Sequence, residues 1–241
     1  WFDDQGRLKN ERKLPADLMG LLPLPQAWVG GWNALPSEAS LRQDPFHQER
    51  VWVTLDKDFS GRSELLQTRG RILQSYDFSQ GRQLLCVPTC DYNTLLQVWG
   101  GRAYVGDPEA GRIHVLDGRG RLCQSLALPW PQRPVLPDEA LDLENRGKAF
   151  REKTNTGFHL HPTWPFFCSF QVTEGALWCL LFPREGWRDL VCLDLEGMPV
   201  AVYRLRERPA FEQAAWGICG GLLYLLEDED EDWVIREIPL P

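Results

Sequence analysis

Residues 101–128 read GRAYVGDPEAGRIHVLDGRGRLCQSLAL. Three short apolar runs stand apart, separated by DPEAG at 107–111 and by DGRG at 117–120. Runs this short, bounded by Asp and Gly, read as strands of antiparallel hairpins rather than as helices. An Asp at the first position of a type I turn bonds back to the backbone, and a Gly supplies the position that needs positive φ.

The same order returns along the chain. Residues 174–205, EGALWCLLFPREGWRDLVCLDLEGMPVAVYRL, run as Gly, apolar strand, polar turn, apolar strand, Asp-x-x-Gly and a further strand. Residues 214–240, AAWGICGGLLYLLEDEDEDWVIREIPL, repeat it and stop before the last strand. A looser copy covers 26–67, with AWVGGWNAL and RVWVTLDKDFSGRSELLQ. The Asp-x-x-Gly turns fall at Asp3, Asp58, Asp117 and Asp194, spaced by 55, 59 and 77 residues. A unit of four short antiparallel strands with loop insertions fits this spacing, and such units are the blades of a β-propeller. ALWCLLF and LLYLL are near-continuous apolar runs, the pattern of a sheet covered on both faces. One stretch differs. PDEALDLENRGKAFREK at 137–153 has an acidic start, a basic end and helix formers, so a helical insertion is expected there.

Composition narrows the function classes. The chain has 241 residues, 43% of them hydrophobic, enough for one large all-β domain over 1–241 with four to five blade equivalents. Net charge is −8, and the EDEDED run at 227–232 carries six negatives, read as a solvated hairpin tip. No basic footprint for nucleic acid is present, and no apolar window is long enough to span a membrane. The chain begins with Trp1 inside a strand-like pattern. It therefore reads as a processed or truncated product, with a signal peptide presumed removed.

Candidate sites come from residue type and spacing. His159 and His161 stand two apart in FHLHPTW, on one face of an extended segment. They are either loop histidines beside Pro162 or two ligands of a metal ion whose third ligand is not identifiable. His114 reads as a blade-face residue. Cys86 and Cys90 flank VPT in a loop and can close a small disulfide if the chain is exported. Cys168, Cys179, Cys192 and Cys219 lie in apolar runs, where a thiol acts as a small hydrophobe. No CxxC pair, haem-attachment motif, P-loop, G-x-S-x-G elbow or H-E-x-x-H helix occurs. No cofactor is expected beyond a structural or channel divalent cation. Among eleven tryptophans, Trp130, Trp164 and Trp187 fall near loops. Trp beside Arg marks binding surfaces, so REGWRD, with Arg184, Trp187 and Arg188, is the best partner-binding candidate, joined by Trp164 and Trp130.

The repeats resemble the bacterial six-bladed β-propeller proteins, relatives of the NHL-repeat and TolB-like propellers. The resemblance covers about Leu95–Leu240 closely and the first ninety residues loosely. It implies a six-bladed ring of four-stranded blades, incomplete here or closed by WFDDQGRLK at the N-terminus pairing with the last blade. It also implies an exported chain, periplasmic or extracellular. Some relatives bind protein or peptide partners, and lactonase-like and amidating-lyase types are metal-dependent enzymes. The expected function is a non-enzymatic scaffold that presents loops to protein partners within a larger assembly. A metal-dependent hydrolase or lyase is the alternative, and carbohydrate binding through exposed Trp the weaker one.

Overall fold

The computed structural model describes residues 18–34, 47–76, 85–88, 95–154, 158–208, 211, 215–229 and 232–240. The chain is an all-β propeller of four blades among these residues. The first blade is β1 (Met19–Pro23), β2 (Ala27–Ala34), β3 (His47–Asp56) and β4 (Arg62–Tyr76). The second is β6 (Leu96–Trp99), β7 (Arg102–Asp107), β8 (Arg112–Leu116) and β9 (Leu122–Ala127). The third is β11 (Ser169–Thr173), β12 (Ala176–Leu180), β13 (Trp187–Asp194) and β14 (Pro199–Arg206). The fourth carries three strands, β15 (Trp216–Cys219), β16 (Leu222–Glu229) and β17 (Asp232–Pro239). β4 is long, and its far half also pairs with β5 (Leu85–Pro88) and β10 (Phe158–Leu160). The expected ring-closing strand at 1–9, and the Asp3 turn within it, lie outside the described residues.

Turn chemistry sets each blade. Strands one and two join through two-residue turns with both residues at positive φ: Gly100–Gly101, Glu174–Gly175 and Gly220–Gly221. Their twist matches that of the flanking strands. The blades therefore begin one strand earlier than the Gly-first repeat suggests, with LQVW, SFQVT and WGIC as inner strands. Strands three and four join through the Asp-x-x-Gly turn. Asp117 Oδ1 accepts from the Arg119 and Arg121 N–H groups, each at 2.9 Å, while Gly120 sits at φ 79°. Asp194 repeats this with Glu196 and Met198 N–H at 3.0 and 2.7 Å and Gly197 at φ 89°. The first blade corrects the expected register. Its turn starts at Asp56, not Asp58, and the left-handed position falls to Phe59 at φ 62°. Asp58 instead accepts from the Ser60 N–H and hydroxyl.

First strands of successive blades touch in chain order, β1 with β6, β6 with β11 and β11 with β15. Their side chains join one core in which Val29, Val105, Phe170, Leu177 and Leu223 are fully buried. Each such side chain contributes about 1.5–3 kcal/mol of burial. Outer strands alternate instead: Val200 and Val202 of β14 and Ile235 of β17 face outward. The blades press closely where the second meets the third. A Cβ at Gly106 would lie 2.9 Å from the Phe170 ring and 3.1 Å from that of Phe167. Between the third and fourth, the Trp216 indole donates to Ser169 Oγ at 3.1 Å, and Gln171 Oε1 accepts from the Ile218 N–H.

α1 (Pro137–Thr154) is the expected insertion, one residue longer than the 137–153 read from sequence. Pro137 sits at its first helical position, and Glu139 Oε2 accepts from the Leu136 N–H at 2.9 Å, a capping-box return bond. The acidic run is only partly solvated. Glu227 is buried and held by Arg208 at 3.1 Å and Arg236 at 2.7 Å. Cys168, Cys179 and Cys192 are buried as expected, but Cys219 is exposed because it ends β15 beside the Gly220–Gly221 turn. No described helix is long and apolar enough to cross a membrane. We predict that Gly106→Ala costs about 1–3 kcal/mol, because two packed rings must move; urea unfolding measures it.

Candidate functional site

The meander topology puts the β7–β8 and β12–β13 hairpins at one end of their blades, opposite the Asp-x-x-Gly turns. Two chain segments run over this end. One leaves β9 as Leu128–Leu136; the other returns from β10 as His161–Cys168. They pair with each other: Trp164 N–H donates to Arg133 O at 2.8 Å and Val135 N–H to Pro162 O at 2.9 Å. They also dock on the second blade, with Phe166 N–H donating to Pro108 O at 2.9 Å. Between these segments and the β12–β13 hairpin lies a cleft of about 390 Å³.

The cleft gathers four of the five residues marked as partner-binding from sequence. Trp130, Trp164, Arg184 and Trp187 all line it, with Arg133 and Phe182. Each tryptophan is held differently. Trp130 is half-buried and donates its indole N–H to Phe166 O at 3.0 Å. Trp164 is 8% exposed, tilts against Phe182 at 4.7 Å, and donates to Glu139 Oε2 at 3.0 Å. Trp187 is 40% exposed and stands on a tight turn whose central residues, Glu185 and Gly186, both take positive φ. Its backbone exchanges both bonds with Arg184, and Gly186 O accepts from the Glu207 N–H. An exposed indole on so braced a turn loses little freedom on binding.

Arg133 organises the cleft. Its guanidinium holds Glu139 through both carboxylate oxygens at 2.8 and 2.7 Å, and donates to Pro183 O at 2.8 Å. It also lies over the Trp164 ring, 5.4 Å from the centroid. One side chain thus ties the helix start, the β12–β13 hairpin and an aromatic wall. Burial pushes the Glu139 carboxyl up, but hydrogen bonds from Arg133, the Leu136 N–H and Trp164 outweigh it. The net shift is below the usual carboxylate range. Sequence reasoning passed over both residues. The available signal was Glu139 three residues after Leu136, a capping-box spacing without a polar cap residue.

Arg188, the fifth candidate, lies away from the cleft. It is one position from Trp187 on a strand, so it points to the opposite face. There it is buried and bound to Glu207, with its Nη1 3.1 Å from Cys168 Sγ. Burial pushes the Cys168 thiol up despite Arg188, and Cys179 and Cys192 are raised by burial too, so none of these is an activated thiolate.

Of the metal and disulfide candidates, His161 has a described side chain, and it does not line the cleft. His159 lies in β10 opposite Ser75, and its side chain is outside the described residues. His161 Nδ1 receives the Thr163 N–H at 3.2 Å. Cys86 lies in β5 opposite Ser75, while Cys90 is outside the described residues. Among the described residues, no three His, Cys, Asp or Glu side chains converge as a metal site would require. His114 stands on the second blade's face, its Nδ1 2.8 Å from Ser125 Oγ and its Nε2 4.0 Å from Asp107. That carboxylate already accepts from the Ala110 N–H and lies beyond hydrogen-bond reach of the ring. It therefore does not orient His114 as the third member of a triad would. No protein-family model matches the chain, and no curated protein matches it either. Function must therefore be argued from the site itself.

Two outcomes check this geometry. The depressed Glu139 pKa contributes stability that is complete above its unfolded value and lost as pH falls below about 4.5. The acid limb of a thermal-stability profile is therefore shallower in Glu139→Gln than in the parent chain. Arg188→Met leaves Glu207 without its buried partner and costs about 3 kcal/mol, read by chemical denaturation.

Proposed function

We propose that this chain is a non-enzymatic binding module, a propeller disc whose cleft between the linking segments and the third blade receives a segment of a protein partner. The observation that carries this is the braced cleft itself. Three tryptophans and a central arginine meet on packed elements, and the most exposed of the three, Trp187, closes a turn whose backbone bonds to Arg184 twice and to Glu207 once. Trp and Arg dominate binding energy where a pocket excludes water around them. Membership of the six-bladed NHL-repeat and TolB-like group, with export and a place in an envelope or extracellular assembly, belongs to the same proposal. It is supported by the repeated Asp-x-x-Gly hairpins.

Selection from a displayed peptide library on the full chain, repeated on Trp187→Ala, tests it. Selected peptides bind the parent chain and lose about 30-fold in affinity on Trp187→Ala, while the thermal midpoint of the variant is unchanged. Peptides that bind both chains equally would remove the cleft from the function.

A further inference from the structure

The cleft has an electrostatic asymmetry that bears on its occupant. Two of its three tryptophans use their indole N–H inside the fold, Trp130 on Phe166 O and Trp164 on Glu139. The Trp187 N–H has no hydrogen-bond partner among the described residues. It points to an acceptor on the ligand. Arginines surround it. Arg206 lies over the Trp187 ring at 5.3 Å and makes no ion pair among the described residues. The Arg184 side chain is 62% exposed and meets only its neighbour Glu185, at 3.6 Å. The other charges cancel in pairs, Arg133 with Glu139 and Arg204 with Asp189. Arg184 on the cleft lining, and Arg206 beside Trp187 but outside that lining, are thus left against Glu185 alone, in a chain whose net charge is −8.

We infer that the segment this cleft takes is acidic: an aromatic or large apolar side chain flanked by carboxylates. This rests on the binding-module proposal above and names the partner's chemistry. The apolar anchor enters between Trp130, Trp164 and Phe182. The flanking carboxylates meet Arg184 and Arg206, and a carboxylate or carbonyl oxygen accepts the Trp187 N–H. Charges beyond a Debye length of about 8 Å are screened at physiological salt, so the rim and not the distant acidic surface decides the encounter. A sugar is a poorer fit, because Arg206 already covers one face of the Trp187 ring on which a sugar would stack.

Titration of the full chain with three probes tests the inference: a Trp-centred peptide flanked by Glu and Asp, the same peptide flanked by Lys, and a chitin tetrasaccharide. The acidic peptide binds about tenfold tighter than the basic one at about 50 mM salt, and the preference shrinks at about 500 mM. Arg184→Glu, at an exposed position that does not bear on folding, reverses the preference, and Arg206→Gln weakens the acidic peptide alone. Equal or tighter binding of the Lys-flanked peptide overturns the inference, as does binding of the tetrasaccharide only. So does sedimentation showing that a second copy of this chain fills the cleft. If display-selected peptides still depend on Trp187 while showing no acidic bias, the inference fails and the binding-module proposal stands. If they ignore Trp187, the binding-module proposal itself fails.

Discussion

No backbone ladder joins one blade to the next among the described residues; the four sheets are separate. Apart from isolated bonds such as Gln26 N–H to Gly118 O at 2.9 Å, what crosses between sheets is mainly side-chain packing. One close crossing is the Phe167 and Phe170 pair, edge to face at 6.0 Å, seated on the bare backbone of Gly106. A side chain there would force the second and third blades apart, and Phe166, one residue from this pair, lines the cleft.

The walls of the cleft explain why it is stiff. One wall is the third blade's β12–β13 hairpin with Arg204 of β14, and the other is a pair of segments bonded to each other and to the β7–β8 hairpin. Arg133 closes the arrangement by reaching α1, Pro183 and Trp164 at once. Its charge is matched by Glu139, both of whose carboxylate oxygens accept charge-assisted hydrogen bonds from Arg133 Nη1 within a partly buried site. The insertion between blades two and three is thus part of the site and not an appendage.

Much of the fold was legible because turns carry strong local chemistry. Asp117 and Asp194 announced their hairpins through the Gly three positions on. The first blade's turn was misread by two residues because a Phe, not a Gly, occupies its left-handed position. The inner strands were missed because four or five residues give too short a pattern to separate from a loop. Trp130, Trp164, Arg184 and Trp187 were legible one at a time from residue type. Their convergence was not, because it depends on bonds between segments up to fifty residues apart. Arg188 was misplaced through neglect of strand alternation, which sends it to the face opposite Trp187.

β4 is shared between its own blade and two later segments, and this bears on how the chain assembles. Its near half zips against β3, a neighbour in sequence. Its far half pairs with β10, more than eighty residues downstream and beyond the whole second blade and α1. During synthesis that stretch emerges long before its mate, and sequence-distant pairing of this kind is slow. The sheet that holds β4 is therefore completed only after the second blade and α1 have emerged, and until then its far edge is open to pairing with a stray strand.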